Sequence, residues 1–135
     1  MPYTVTDRVP TTQEHRVLAE AVGWGEAFWW ESMPASLAGS TCGVVVHDDD
    51  GLIGMGRVVG DGAFYFYIED VAVHPDHRRR GVGRAIVDAL VRQVRDHAPG
   101  HRFIGLFATP EAEVLYRSLG WEAKEMLGMW QVLRD

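Results

Sequence analysis

The sequence is short of cysteine and of long apolar runs. Its single cysteine, Cys42, excludes an intrachain disulfide and gives no sign of an oxidising compartment. No stretch approaches the roughly 18 apolar residues that a membrane span needs, and residues 1–12 lack an apolar core of signal-peptide length. We therefore expect a cytoplasmic protein that acts without a membrane.

Basic charge is scarce as well. The 135 residues carry 13 Lys and Arg against 19 Asp and Glu, a formal net charge of −6, and this balance disfavours nucleic-acid binding. Four of the 13 basic residues nevertheless lie within residues 78–84. A basic turn on an acidic chain indicates a small anionic ligand. The length suits one domain, which we expect to span residues 1–135.

The basic turn, residues 78–84, joins an apolar strand to an amphipathic helix and reads Arg78-Arg79-Arg80-Gly81-Val82-Gly83-Arg84. The first N–H groups of a helix have no partner within it and lie at the positive end of its dipole. Glycines let a ligand approach the backbone, and arginines donate paired hydrogen bonds to phosphate. The turn therefore predicts a pyrophosphate cradle. The third glycine of a dinucleotide fingerprint and the Gly-Lys-Ser/Thr of a Walker loop are missing.

Turn signals and hydrophobic periodicity divide the chain into strands and helices. The predicted strands are 3–9, 41–47, 52–59, 63–73 and 101–108, with short final strands at 121–122 and 129–133. The predicted helices are a first one capped by Thr11 or Thr12, a short one at 26–38, a main one at 82–97, and one that starts at Pro110. We expect an antiparallel meander followed by a right-handed parallel crossover over 63–108. The fold class is α/β, as an α+β mixed sheet with helices on both faces.

Two motifs resemble those of the GNAT superfamily of acyl-CoA-dependent N-acyltransferases. The string 71–75, VAVHP, followed by Arg78-x-x-Gly81-x-Gly83 and an amphipathic helix, resembles motif A. The segment 108–121, which contains Thr109-Pro110, Tyr116 and a final Leu-Gly-Trp, resembles motif B. With the element order, the resemblance covers most of residues 40–135. It implies a GNAT-like fold, a largely antiparallel sheet with a central parallel strand–helix–strand unit.

The resemblance also implies acetyl-CoA as the acyl donor and co-substrate, and no metal. Backbone groups of the fourth strand would pair with the pantetheine arm, as an added strand does, and an N–H near Val71 would polarise the thioester carbonyl. The donor-binding residues implied by the resemblance are Val71, Ala72, Val73, Arg78, Arg79, Arg80, Gly81, Val82, Gly83, Arg84, Ala85 and Thr109.

Acyl transfer to an amine needs a base for the ammonium and an acid for the leaving thiolate. Tyr116 matches the family's motif-B tyrosine and is our general acid, although a core tyrosine would look the same in sequence. Glu69 is the candidate base, directly or through a water; it is equally able to bind a cationic amine or to form a structural salt bridge. Strict alternation puts Glu69 with Val71 on one face and Asp70 among apolar residues on the other, where we expect it to be structural.

The predicted acceptor site involves Tyr67, which shares a face with Glu69, and the aromatic residues Trp29 and Trp30, which would line a pocket or pack in the core. We expect His74 and His77 to be solvent-facing and Cys42 to be a structural cysteine. The predicted function is an N-acetyltransferase acting on a primary amine of a small molecule. An enzyme that acetylates lysine or N-terminal amines of proteins, and an acyl-CoA sensor without turnover, are the alternatives. The oligomeric state stays open between a monomer and a homodimer.

Overall fold

The structure, a computed structural model, describes residues 2–134 and divides into two compact units, Met1–Gly105 and Leu106–Asp135. The first unit contains β1 (Thr4–Thr6), α1 (Thr12–Ala21), α2 (Met33–Ala38), β2 (Cys42–Asp48), β3 (Gly51–Gly60), β4 (Tyr65–Val73), α3 (Val82–His97) and β5 (Phe103–Gly105). Short 3₁₀ turns lie at Gly25–Ala27 and Pro75–His77. The second unit contains α4 (Pro110–Ser118). Within residues 2–134, no helix is both long enough and apolar enough to cross a membrane.

The first unit is built on one five-stranded sheet with the strand order β1-β2-β3-β4-β5. The first four strands are antiparallel to their neighbours, and β5 runs parallel to β4 through the crossover helix α3. The predicted meander, the parallel crossover and the mixed α/β fold are confirmed. Strands β1 and β5 lie within the predicted strands 3–9 and 101–108 and are shorter than them.

Local capping signals fix where the helices begin. The Glu14 N–H donates to Thr11 Oγ1 over 3.1 Å, and the Thr11 N–H donates to Glu14 Oε1 over 2.9 Å, which is a complete capping box at the start of α1. Thr109 caps α4 with a single hydrogen bond, which its hydroxyl accepts from the Ala112 N–H, and Pro110 occupies the first turn. The single helix predicted over 26–38 is instead a 3₁₀ turn at Gly25–Ala27 followed by the separate helix α2.

Helices cover both faces of the sheet, as expected. A Cβ added at Gly54 or Gly56 would approach Ile86 of α3 to within 2.9 and 2.8 Å, so α3 lies directly on the backbone of β3 there. Met55, between these glycines, points to the opposite face, where it packs with Leu18 of α1. The two absent side chains in β3 are therefore what lets the crossover helix sit close to the sheet.

A β-bulge interrupts β4 and changes which side chains share a face. Met55 pairs with Ala72 and Arg57 pairs with Glu69, so Asp70 and Val71 both stand opposite Gly56. Asp70 takes a left-handed backbone conformation, φ 58°. Val71 consequently reaches the α3 face beside Gly56, whereas Asp70 and Ala72 face α1. The strict alternation predicted for 63–73 is wrong beyond Glu69, because the extra residue shifts the pattern by one.

The C-terminal part of the chain also departs from prediction. Residues 121–122 and 129–133 form no strand, although their sequence favours one. In α4, Val114 is 75% exposed, and Tyr116 is the buried residue of that helix. Propensity alone is insufficient here because a strand needs a neighbouring strand for its hydrogen bonds.

Gly56→Ala should destabilise the protein by about 1–3 kcal/mol, because the new methyl group would overlap Ile86 and Leu90 of α3. Gly39→Ala is the matched control, since its Cβ would meet nothing closer than 3.5 Å. Urea unfolding of both variants measures the difference. Equal stability of the two variants would mean that α3 does not lie tightly on β3.

Candidate functional site

The start of α3 presents unpaired backbone donors, as the basic turn predicted. Among residues 2–134, nothing accepts a hydrogen bond from the N–H groups of Val82, Gly83 or Arg84, whereas the Ala85 N–H donates to the Gly81 carbonyl over 3.0 Å. Gly81 adopts φ 78°, and a Cβ there would have only the Tyr3 hydroxyl nearby, at 3.8 Å. The turn is therefore open on its outer side, with three N–H groups free for an anion.

The four arginines of the basic turn divide into two kinds. Arg78, Arg79 and Arg84 are exposed. Arg80 instead donates to Asp48 Oδ2 over 2.8 Å, contacts His77 Nδ1 at 2.7 Å, and lies over the Tyr3 ring at 5.7 Å. Arg80 thus anchors the turn to the end of β2, and the exposed arginines are the ones available to a phosphate.

The anchor of Arg80 is an acidic and histidine cluster formed by Asp48, Asp50 and His77. Three possible ligand atoms of these residues lie within 4.8 Å of one another. The Asp48 side chain is fully buried, and the hydrogen bond from Arg80 holds the pKa of its carboxyl below the ordinary value. His77 is only 12% exposed, so the expectation that it faces solvent is wrong. Two members of the cluster, Asp48 and His77, contact the positively charged Arg80 guanidinium in place of a metal ion.

Glu69 lies next to the β4 bulge and has a raised pKa. Partial burial is the main cause, the neighbouring Asp70 carboxylate adds to it, and Arg57 opposes it. A raised pKa makes Glu69 a stronger base than an exposed glutamate. Tyr67, on the same face, packs its ring against Phe103 at a centroid distance of 5.7 Å. The bulge also leaves Val71 without its own partner residue on β3, and Val73 remains paired with Gly54.

A buried polar network holds the bulge in place. Asp70 Oδ2 accepts from Arg57 Nε over 2.8 Å and from His15 Nε2 over 3.0 Å. Burial raises the pKa of Asp70, but the hydrogen bonds from His15 and Arg57 outweigh it, so the pKa lies below the ordinary value. Arg57 also donates to the Ser36 carbonyl and to the Ser36 and Ser40 hydroxyls. The network therefore ties α1, α2 and β3 to the bulge.

Sequence reasoning missed His15 and Arg57, although both left a signal. His15 lies on the apolar face of α1, three residues before Leu18, and Arg57 interrupts a buried strand. His15 is fully buried, and its Nδ1 finds no hydrogen-bond partner among the residues that the structure describes. Because an ionised carboxylate only accepts hydrogen bonds, Nε2 donates to Asp70.

An open aromatic cleft of about 520 Å³ lies on the other side of His15. Its lining residues are Arg16, Gly25, Glu26, Phe28, Trp29, Trp30 and Glu31. The His15 ring packs edge-on against Phe28 at 4.9 Å and Trp30 at 5.7 Å, which connects the cleft to the network at the bulge. Trp29 is 71% exposed. The two predicted tryptophans thus line a cleft that combines aromatic faces with carboxylates.

Tyr116 lies in the second unit, on α4. Its ring packs edge-on against Trp121 at 5.8 Å, and it is 8% exposed. Burial raises the pKa of its hydroxyl, so the proton is retained at neutral pH. Thr109, at the start of the same helix, uses its hydroxyl as the helix cap.

Cys42 is not an activated nucleophile. It begins β2, and burial, together with the Asp7 carboxylate, raises the pKa of its thiol to about 11. A thiol with such a pKa is almost entirely protonated at neutral pH, whereas catalytic cysteines have lowered values.

Asp70→Asn should cost about 3 kcal/mol of stability at pH 7, because it leaves the buried Arg57 without its counter-charge. Since the folded-state pKa of Asp70 is lowered, its stabilisation is present above the unfolded value of about 3.9 and is lost as the pH falls through the folded value. The gap between variant and wild type should therefore close in urea unfolding below pH 4. Asp96→Asn, at an exposed position, is the control and should change stability by less than about 0.5 kcal/mol. A gap independent of pH would contradict the charge-based explanation.

Comparison with known proteins agrees with this geometry. A family model described as an acetyltransferase (GNAT) domain matches residues 39–123. A rice protein named serotonin N-acetyltransferase 2, chloroplastic, is 33% identical over 83% of this chain and 49% of its own length. An Arabidopsis protein named GCN5-related N-acetyltransferase 2, chloroplastic, is 42% identical over 53% of this chain and 27% of its own.

Solved structures extend the likeness to the fold. A probable acetyltransferase of unknown function from methicillin-resistant Staphylococcus aureus superposes with a TM-score of 0.87 and 28% identity, covering 98% of this chain and all of its own. The chain spans about a quarter to a half of the curated relatives described above. Since the family model covers more than half of the residues and the sheet, the crossover and the basic turn agree with it, the chain belongs to the GNAT acetyltransferase family.

Proposed function

We propose that the protein is an N-acetyltransferase that moves an acetyl group from acetyl-CoA to a primary amine of a small molecule. The observation that carries the proposal is the open start of α3, where three N–H groups and Gly81 meet exposed arginines. A small dianionic group is the ligand that this arrangement suits best. The whole chain acting as one domain, in the cytoplasm, belongs to the same proposal.

The donor site would extend from the basic turn to β4. Backbone N–H groups of Val82, Gly83 and Arg84 would bind the pyrophosphate, with Arg78 and Arg79 adding charge. The bulge at Asp70 and Val71 interrupts the regular pairing of β4 with β3, and backbone groups of Val71 would orient the pantetheine arm there. Acetyl-CoA supplies the activated acetyl thioester.

The chemistry needs two proton movements on this chain's own residues. Glu69, whose pKa is raised, would take a proton from the incoming ammonium, either directly or through a water. Tyr116, whose pKa is also raised, would hold its phenolic proton at neutral pH and donate it as the thiolate leaves. The raised pKa of Glu69 makes its carboxylate more basic, whereas that of Tyr116 keeps the phenol protonated and makes it a weaker acid.

The aromatic cleft is our proposed acceptor site. Trp29, which is 71% exposed, offers a ring face that attracts an ammonium group, and Glu26 and Glu31 contribute opposite charge. Trp30 lines the same cleft, and the Arg16 guanidinium lies over its ring at 5.0 Å. The rice relative's name refers to serotonin, an amine with an aromatic ring, so arylalkylamines belong first in an acceptor panel. Aliphatic diamines and lysine-containing peptides complete it; acetylation of the peptides alone would favour a protein-modifying enzyme.

Gly81→Val should abolish acetyl-CoA binding, because a branched side chain would strain the left-handed backbone and obstruct the open side of the turn. The wild-type protein should gain about 2.7 kcal/mol of stability at a ligand concentration of 100 times the dissociation constant. Thermal unfolding with acetyl-CoA, desulfo-CoA and AMP measures this gain, and AMP should give little.

Gly100→Val is the matched control for the backbone strain. Gly100 has φ 81°, nearly the value of Gly81, and has open space around it at the far end of α3. This variant should lose a similar amount of stability but keep its response to acetyl-CoA. If both variants keep the response, the basic turn is not the donor site.

Replacing Glu69 or Tyr116 should separate their roles in the pH dependence of turnover. Glu69→Gln should lower kcat by about 10²-fold or more. It should also remove the fall in kcat at low pH that comes from protonation of the Glu69 carboxylate, because the base must be ionised. Protonation of the amine itself affects both enzymes equally. Tyr116→Phe should lower kcat at every pH below the raised phenol pKa.

Mass spectrometry of the acetylated amine measures the turnover of each variant and of the wild type. A raised KM with an unchanged kcat in Glu69→Gln would assign the carboxylate to amine binding. Unchanged turnover of Tyr116→Phe over the full pH range would remove its role as acid. Tight acetyl-CoA binding without product from any amine would identify a sensor.

A further inference from the structure

Glu69 has no ion-pair partner among residues 2–105, although a cation lies next to it. Its carboxylate accepts no hydrogen bond from these residues. Arg57 is its paired residue on β3. The side chains of directly paired residues share a face of the sheet and lie about 4.5–5.5 Å apart at Cβ, a distance at which opposite charges attract each other. The ion pair that this register favours, Arg57 with Glu69, is therefore absent within residues 2–105.

Asp70 takes the place of Glu69 as the partner of Arg57. The bulge puts Asp70 on the same face of the sheet as Arg57, so two consecutive carboxylates border one guanidinium. Arg57 Nε donates to Asp70 Oδ2 over 2.8 Å. Arg57 Nη1 and Nη2 donate to oxygens of Ser36 and Ser40. All three nitrogens of the guanidinium are thus engaged without Glu69.

A second hydrogen bond, from His15, fixes the Asp70 carboxylate. His15 Nε2 donates to the same oxygen, Asp70 Oδ2, over 3.0 Å, and the His15 side chain is fully buried. A carboxylate oxygen with two buried donors has little freedom to release Arg57. Among residues 2–105, the charged and titratable groups that border Glu69 and Asp70 are Arg57 from β3, His15 from α1 and Tyr67 from β4 itself.

We propose that Asp70, held by His15, is a positioning residue that prevents the Arg57 guanidinium from pairing with the base. Glu69 thereby stays unpaired and ready to take a proton from the amine. The inference rests on the proposed function, in which Glu69 is that base. A carboxylate in an ion pair is a weaker base, because the cation favours its charged form. The Asp70 anion also acts directly, since burial and then Asp70 raise the pKa of Glu69.

The first test breaks the ion pair of Arg57 and Asp70 from each side in turn. Asp70→Asn leaves Glu69 as the neighbouring anion of Arg57, so the pKa of Glu69 should fall relative to the wild type. Arg57→Met leaves the Asp70 anion without its counter-charge, so the pKa of Glu69 should rise. Both variants lose the same buried ion pair, which makes each the matched control for the other's loss of stability. Carbon-13 NMR titration of labelled glutamate measures the pKa, and Glu69→Gln identifies the signal.

The second test is turnover. Asp70→Asn should lower kcat by about tenfold or more at neutral pH, and the fall in kcat at low pH should move to lower pH, because a weaker base stays ionised further down. Arg57→Met should move this fall to higher pH. The double variant Arg57→Met/Asp70→Asn has no cation paired with Glu69 in the sheet and should regain most of the kcat that Asp70→Asn loses.

Shifts of the Glu69 pKa in the same direction in both single variants would overturn the proposal, and so would an unchanged pKa in Asp70→Asn. A double variant no faster than Asp70→Asn would do the same, because a purely structural network loses activity with each further substitution. Circular dichroism verifies folding, and either single variant tests the direction of the shift by itself. The NMR titration needs no turnover, so it decides on this arrangement even if the wild type acetylates no amine, a result that would refute the proposed function instead.

Discussion

The site depends on one constraint, the conformation of β4 at Asp70. A non-glycine residue with φ 58° inside a strand costs free energy, and the buried hydrogen bonds from Arg57 and His15 offset that cost. Because Arg57 continues to Ser36 and His15 to Phe28, the same contacts set where α1, α2 and the aromatic cleft lie relative to the strand. The bulge in β4 and the proposed acceptor cleft are thus connected through one carboxylate, whereas the basic turn has its own anchor in Asp48.

Local signals were sufficient to predict most of the fold. The Thr11 capping box, the Thr109-Pro110 start of α4 and the Gly-rich entry to α3 act within a few residues, so periodicity and capping located these helices closely. The bulge could not be predicted, since an alternating pattern has no mark for an inserted residue, and Asp70 was assigned to the wrong face. The strand predicted at 129–133 was also wrong, because a strand depends on a partner edge that its own sequence does not specify.

The candidate site was predictable to the extent that its chemistry is local. Backbone donors at the start of α3 follow directly from Gly81 and the residues after it, and the structure places them as expected. The separation of Arg80 from its exposed neighbours depends on Asp48, which is 32 residues away in sequence. The same limitation concealed His15 and Arg57, whose partner Asp70 is on a different element from either. Long-range pairing of charges, rather than the identity of the charged residues, is what the sequence left open.

The raised pKa of the half-buried Cys42 has a practical consequence for chemistry in solution. With a pKa of about 11, only about a thousandth of the thiol is ionised at pH 8. The protein's lone sulfhydryl should therefore react slowly with disulfide reagents and resist oxidation. Any rapidly reacting thiol in a mixture of this protein with an acyl thioester would come from the donor, so the protein contributes little background to a colorimetric measurement of thiol release.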